Sequence, residues 1–379
     1  MVSKTCELVE RAKTIADPRR QCANRKHLLE DILVVGFCGT LAGCKDFVQL
    51  ATWANINVAF LRTFLALPHG IPSHDTFNRV FAVIPCATLQ KVLLPWLLER
   101  RGLPADQCIH LDGKTMRRTR CKAAGLGALH VLSAWAGQSG LTLGQVAVDA
   151  KSNEITALPQ LLELLDLKDK IVTIDAMGCQ KEIAKTVIDG QGHYVLSAKD
   201  NQPTLKGEIA ESFAKAASKP FPTRREHTTV DSGHGREERR TVRVLPAAGN
   251  LSPNTQEAWL GLLTLVMVVR EVVCKATGAV RSEVSYFISS LKPDARKISQ
   301  AIRGHWSIEN GLHWVLDVVF REDARRVYDR TVAENVAFMN RLAVSLLRGD
   351  SSKGSLQLKQ MMAGWDVQFL AKLLGISGK

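Results

Sequence analysis

The sequence has no Cys-x-x-Cys pair, no apolar run long enough to cross a bilayer, no internal repeat and no low-complexity segment. Its nine cysteines, Cys6, Cys22, Cys38, Cys44, Cys86, Cys108, Cys121, Cys179 and Cys274, are odd in number and scattered. That excludes a zinc-ribbon spacing and a disulfide framework, and it reads as reduced thiols in a cytoplasmic protein. A spanning helix needs about 20 apolar residues; the longest run, from Trp259 to Val269, falls well short and reads as a buried strand. The opening MVSKTCELVERAK lacks the apolar stretch of a secretory leader, so no membrane partner is expected. Acid is in deficit as well: 37 Asp and Glu face 50 Lys and Arg, a formal net charge of +13. Such an excess favours a polyanionic partner, because clustered cations gain affinity by releasing the counterions condensed on nucleic acid. At 379 residues, 46% of them hydrophobic, the chain can fill two or three packed units.

What is present changes along the chain. Positions 1–104 read as helical, with Leu28, Ile32, Leu33, Val35 and Phe37 at helical spacing and Pro18, Pro68, Pro72 and Pro85 as breaks. One of these helices is expected to start at a cap near Ser73 or Asp75. From Gln107 come three β-rich runs, QCIHLD, ALHVLSAWA and LTLGQVAVD. The helix ITALPQLLELLDL, strand KIVTID, helix QKEIAKTVIDG, strand HYVLSAK and helix TLKGEIAESFAK follow. Three strands followed by αβ units make an α/β protein with a mixed sheet and flanking helices. That is the element order of the ribonuclease H-like fold, with 105–218 as its first part. Positions 219–291, which include Pro220, HGREERR and two further strand-like runs, are expected to form a β-rich insertion, and 292–379 a helical remainder.

Two aspartates end apolar runs: Asp112 after Cys108–Leu111, followed by Gly113, and Asp175 after Ile171, Val172 and Ile174. A lone Asp in such a place is usually a turn or cap residue. Two of them, on strands that this order sets side by side, point to a common site. Glu309 lies in the helix-like HWSIENGLHW, where an unpaired charge would be costly; an ion pair with Arg303 or His305 is the plainer alternative. Asp317, Glu322 and Asp323 are rivals, expected to be solvated or paired with Arg321, Arg325 and Arg326. Converging carboxylates raise one another's pKa unless a cation neutralises them. A set without thiolate or imidazole suits Mg²⁺, with Mn²⁺ as a substitute.

Basic residues near these positions are candidate phosphate contacts: Lys114, Arg117, Arg118, Arg120 and Lys122 after Asp112, Lys199 in SAKDNQPTL, and Arg236, Arg239 and Arg240 in HGREERR. Most short basic runs are only solvated loops. Trp259 reads as a core aromatic or as a surface on which a base could stack. His130 reads as a hydrogen-bonded buried histidine.

Long motifs carry a family resemblance. IADPRR, HGIPSHDTFNRVF, IHLDGKTMRR, KSNEITALPQLLELLDL, IVTIDAMGCQKEIA, YVLSAKDNQP, GHGREERR, YFISSL and RGHWSIENGLHWVLDVVFRED resemble the DDE transposases of bacterial insertion sequences, in the subgroup that includes the H-repeat-associated proteins. The likeness runs from about Ile15 to Leu373. It implies a ribonuclease H-like catalytic domain with a β-rich insertion, behind a helical transposase-associated domain. Carried over by position, Asp112, Asp175 and Glu309 are the metal ligands, for what would be two ions. In the wider family a Tyr, Arg, Glu, Lys pattern surrounds the Glu; here Ile302, His305 and Leu316 stand at the other three places. A Trp in the insertion of some relatives stacks on a flipped base, a role that would fall to Trp259.

The resemblance implies Mg²⁺-dependent cleavage at the inverted repeats of a mobile element and joining of the freed 3′-OH to target DNA, by a homodimer assembled on double-stranded DNA. The alternatives are a nuclease on the same scaffold that cuts without joining, and a DNA-binding relic without activity.

Overall fold

The structure is a computed structural model of the chain, describing residues 6–21, 25–102, 107–121, 125–148, 153–217, 221–233 and 235–376. Cys22, Lys122 and Pro220 lie outside the described residues. The chain opens with six helices: α1 (Glu7–Lys13), α2 (Leu29–Leu41), α3 (Phe47–Ile56), α4 (Val58–Leu61), α5 (His74–Val83) and α6 (Cys86–Arg101). Strands β1 (Cys108–Met116), β2 (Leu129–Ala136) and β3 (Leu141–Val148) follow, then α7 (Glu154–Glu163), β4 (Ile171–Ile174), α8 (Lys181–Asp189), β5 (His193–Ala198) and α9 (Pro203–Ala216). Next come β6 (Glu226–Gly233), β7 (Arg236–Pro246), α10 (Pro253–Glu257), β8 (Thr264–Cys274) and β9 (Val280–Ser289). The helical end comprises α11 (Ala295–Ile308), a π-helical turn at Glu309–His313, α12 (Trp314–Val318), α13 (Arg330–Gly349), α14 (Leu356–Trp365) and α15 (Val367–Leu374).

This is the mixed α/β architecture expected of the ribonuclease H-like fold. Nine strands hydrogen-bond in the order β3-β2-β1-β4-β5-β9-β8-β7-β6. β1, β4 and β5 are parallel neighbours, which requires helical crossovers, and α7 and α8 supply them. All four β4 residues are buried, as a strand covered on both faces demands. β9 joins β5 antiparallel, and β8, β7 and β6 continue from it. Of the run expected to be a strand from Trp259, only the part from Thr264 onward is one: Gly261, at φ +72°, turns the chain first.

By contacts the chain divides into two units. One holds 1–105, 113–151 and 309–379; the other holds 106–112 and 152–308, so β1 changes unit between Asp112 and Gly113. In the helical unit α13 is the central element, with Ala333 and Ala337 packed on Met116, Leu129 and Val131. Its Arg341 is wholly buried, a cost that hydrogen bonds from Nε and Nη1 offset, while Nη2 has no partner among the described residues. Nε donates to Ser133 Oγ at 2.8 Å, and Nη1 to Glu322 Oε1 at 3.2 Å and the Ala337 carbonyl at 3.0 Å. Ser73 caps α5, accepting the Thr76 N–H at 3.3 Å.

In the second unit α11 presents Ala295, Ile298 and Ala301, at a spacing of three, to Ile171, Val195, Val244 and Val266 of the sheet. Full burial of a residue such as Ile298 contributes roughly 1.5–3 kcal/mol, so this face fixes the helix on its strands. Among the described residues no single helix is long and apolar enough to cross a membrane, and every described cysteine is a free thiol.

Candidate active site

Asp112 and Asp175 are positioned by the parallel pairing of β1 with β4. Four residue pairs run from Cys108↔Ile171 to Leu111↔Ile174; Asp112 is the next residue within β1, and Asp175 the residue directly after β4. Both are half-buried. Asp175 Oδ1 accepts the N–H groups of Met177 at 3.0 Å and Gly178 at 3.4 Å, so it also caps the turn that follows β4. Burial pushes its pKa up, Glu154 adds to the rise, and the two N–H groups and Lys199 oppose it. A carboxylate held in that balance is short of positive charge, and a cation would supply it.

Beneath the aspartates lies a histidine pair that the sequence reading did not single out. His110 is buried two residues before Asp112, and its Nδ1 is 2.7 Å from Thr173 Oγ1. The same oxygen is 2.9 Å from His305 Nδ1 on α11. Burial pushes both imidazoles down, His110 to about 3, with His305 contributing, and His305 to about 4. Both rings are therefore neutral at pH 7. From sequence, His305 is named only as a possible partner of Glu309 and at the family's Arg place, and His110 stands unremarked in the alternating run CIHLD.

Glu309 begins the π-helical turn directly after α11 and is exposed, its Oε2 lying 3.6 Å from His313 Nδ1. The two partners proposed for it are engaged elsewhere: Arg303 pairs with Asp231 at 2.8 Å and His305 with Thr173. Within its own unit the turn is gripped by one side chain. Arg348 Nη2 and Nε donate to the Gly311 carbonyl at 2.6 and 3.2 Å, and its guanidinium lies 5.8 Å from the centroid of the Trp135 ring. A π-helical turn within an α-helix is rare and frequently lies at a functional site.

The candidate phosphate contacts fall into different surroundings. Lys114 is 6% exposed and held by three acids: Asp317 at 2.6 Å, Asp323 at 3.1 Å and Glu322 at 4.0 Å. This corrects the pairing expected for those acids. Their partners are Lys114, Arg117 at 3.3 Å from Asp323, and Arg341, not Arg321, Arg325 or Arg326. Arg117, Arg118, Arg120, Lys199, Arg236 and Arg239 are exposed. Arg239 faces Glu271 across the β7–β8 ladder, and half-buried Arg240 pairs with Glu238. Trp259 is 3% exposed, a core residue of its unit. His130 is half-buried and bonded to Thr115 Oγ1 at 2.7 Å.

Comparison with known proteins bears on the whole chain. Residues 104–346 match the family described as "Transposase DDE domain", and residues 9–97 match the one described as "DDE_Tnp_1-associated". "H repeat-associated putative transposase YhhI" of Escherichia coli (strain K12) is 35% identical, with 98% of each chain covered. "Putative transposase YncI" of Escherichia coli O157:H7 is 34% identical over 97% of this chain and 94% of its own. A shorter relative from strain K12, "Inactive transposase YbfQ", is 30% identical over 18% of this chain and 80% of its own. With matches of this length and identity, on a ribonuclease H-like sheet in which the parallel pairing of β1 with β4 leads directly to Asp112 and Asp175, this chain belongs to the DDE transposase family.

Proposed function

We propose that the protein is a DNA transposase that cuts the ends of an insertion sequence and joins them to target DNA, with Asp112, Asp175 and Glu309 as its metal-binding carboxylates. The observation that carries this reading is the parallel register of β1 with β4, which runs up to Leu111 and Ile174 and so brings Asp112, within β1, level with Asp175, the residue after β4. Support for Glu309 comes from α11. That helix packs on the sheet, sets Gly304 against His110 of β1, and ends one turn later at the residue before Glu309. The donor set is carboxylate oxygen, which suits Mg²⁺, or Mn²⁺ in its place. Bound there, two such ions would activate an attacking oxygen and stabilise a leaving one in phosphoryl transfer.

The chain's own residues supply position and charge. Neutral His110 and His305 hold β1, β4 and α11 together through one threonine hydroxyl and add no positive charge beside the carboxylates. Arg117, Arg118, Lys199, Arg236 and Arg239, exposed and basic, are the proposed contacts to DNA phosphates. Lys114 is proposed to act through the acids around it. Trp259 is proposed as a core residue of the β-rich part, so that base stacking there would require it to come out of the interior. The proposed domains are a helical, DNA-binding 1–104, a catalytic domain of 105–218 and 292–379, and the insertion 219–291. Cutting two ends together calls for two copies on one DNA, in the cytoplasm where bacterial DNA lies.

The test is cleavage of labelled end DNA with Mg²⁺ by wild type and by Asp112→Asn, Asp175→Asn and Glu309→Gln. The expected result is cleavage by wild type alone, with end binding retained by all four proteins. Equal cleavage by all four overturns the assignment. Covalent joining of the label to a plasmid separates a transposase from a nuclease.

A further inference from the structure

The helical unit contains a cavity of about 670 Å³ that includes none of the three carboxylates and whose wall is unusually cationic. Lys45, Arg321, Arg325 and Arg326 line it, together with Phe47 and Tyr328. Two acids, Asp46 and Asp329, also reach it, but both serve as helix caps. Asp46 accepts the Gln49 N–H at 2.7 Å and Asp329 the Val332 N–H at 2.9 Å. The cations have mostly neutral partners. Lys45 Nζ donates to the Val319 carbonyl at 2.9 Å and Gln360 Oε1 at 3.3 Å. Arg325 Nη2 donates to the Cys44 carbonyl at 3.0 Å, while its buried Nε has no partner among the described residues. Glu322, the acid that acts most strongly on Arg325, ahead of Asp46, is bound by Arg341 at 3.2 Å. Arg321 and Arg326 make no ion pair among the described residues.

Gathering four cations around one hollow costs stability, and here the cost is visible. Burial, with Arg325 and Arg321 close by, pushes the Lys45 ammonium down to about 8. Arg321 also sits in the left-handed region at φ +52°, which an arginine enters only under strain. Strain and unpaired charge held together at one place point to a ligand that relieves them.

We propose that this cavity binds the phosphate of an unpaired nucleotide, its base lying against Phe47 and Tyr328. Guanidinium groups match phosphate oxygens two at a time, and a lysine adds a point charge. Tyr328 is 55% exposed and offers a ring face, the sequence-tolerant partner of a base. The volume is within the usual span of ligand cavities, about 300–1,000 Å³, and a duplex about 20 Å across would not enter it. A free nucleotide and a nucleotide within a single strand carry the same chemistry, and the experiment separates them.

The full chain is titrated, without Mg²⁺, into a labelled single-stranded oligonucleotide and into the corresponding duplex, with AMP as competitor. Because no metal is added, the outcome is independent of whether the carboxylates cut DNA. The variant is Arg321→Gly/Arg326→Ala; glycine is at ease at the positive φ, so Tm should not fall. Arg281→Ala, an exposed arginine on β9, is the control. The expected result is single-strand affinity lowered about tenfold, with a salt dependence shallower by one or two phosphates, and the control unchanged. Tyr328→Ala should weaken single-strand binding without changing the salt slope. Competition by millimolar AMP would assign the cavity to free nucleotides, and its absence to a nucleotide within a strand. Wild-type affinity and salt slope in the double variant, or a loss confined to the duplex, overturns the proposal.

Discussion

Gly304 of α11 lies against the His110 ring of β1 with no room for a side chain: a Cβ there would come within 2.9 Å of Cε1 and 3.0 Å of Nε2. The ring cannot move aside easily, since it is buried and its Nδ1 is tied to Thr173. One hydroxyl serves two neutral imidazoles; with a single proton it cannot donate to both, so at least one of His110 and His305 carries its proton on Nδ1. Gly304→Ala gains helix propensity of about 1 kcal/mol but must push α11 off β1, an overpacking cost of roughly 1–3 kcal/mol. The expected outcome is a Tm at or below that of wild type and a loss of cleavage well beyond the loss of stability. An alanine variant with wild-type cleavage would show that α11 need not approach β1 so closely.

Lys114 offers a test of structural against DNA-contacting roles. Three acids surround a side chain that is 6% exposed. Removing the cation leaves them to repel one another, and breaking a buried pair costs on the order of 3 kcal/mol. Lys114→Met should therefore lower Tm by several degrees. Adding Asp317→Asn should restore part of that loss, because it removes one of the stranded charges. A residue that only touched phosphate would weaken DNA binding with no change in Tm.

These residues also show where sequence reasoning reached and where it stopped. The β1–β4 pairing was legible because strand order follows from element order, and two apolar runs each ended in Asp. The partners of Asp317 and Asp323 were not. Nearby arginines suggested local pairs, but Lys114, 209 positions from Asp323, took the place through tertiary packing. The π-helical turn at Glu309 was invisible for a similar reason. Its apolar spacing resembles that of an ordinary helix, and the Gly311 carbonyl within it is held by Arg348, 37 positions away. Both surprises are long-range cationic contacts, which local periodicity does not encode.

Arg348 is thereby a positioning residue for the turn that carries Glu309. Its two donors on the Gly311 carbonyl need a planar fork, which lysine lacks. Arg348→Lys keeps the charge near Trp135 but loses the two-point hold. Displacing a reacting group by about 1 Å can cost about 100-fold in rate; with the charge kept, a loss of about tenfold in the rate of cleavage is expected, with end binding unchanged. Parallel loss of binding and cleavage would instead indicate a general structural role.

Lys45 gives the cationic cavity a pH signature whose direction can be worked out. Its ammonium is brought down to about 8 by burial first, and then by Arg325 and Arg321, with Cys44 weakly opposing. Asp46 also lines this hollow, and the Phe320 ring centroid lies 5.9 Å from Nζ. Below about pH 8 the folded protein carries the charge and a phosphate gains from it; above, the charge is lost. Single-strand affinity should therefore fall between pH 7 and pH 9. Stability should move the other way: the unfolded lysine still holds its proton up to its ordinary value near 10.5, so the folded state gains as pH rises from about 8 toward that value. Lys45→Arg, charged throughout, should flatten the binding profile. Identical profiles for wild type and Lys45→Arg would show that this ammonium does not meet the ligand.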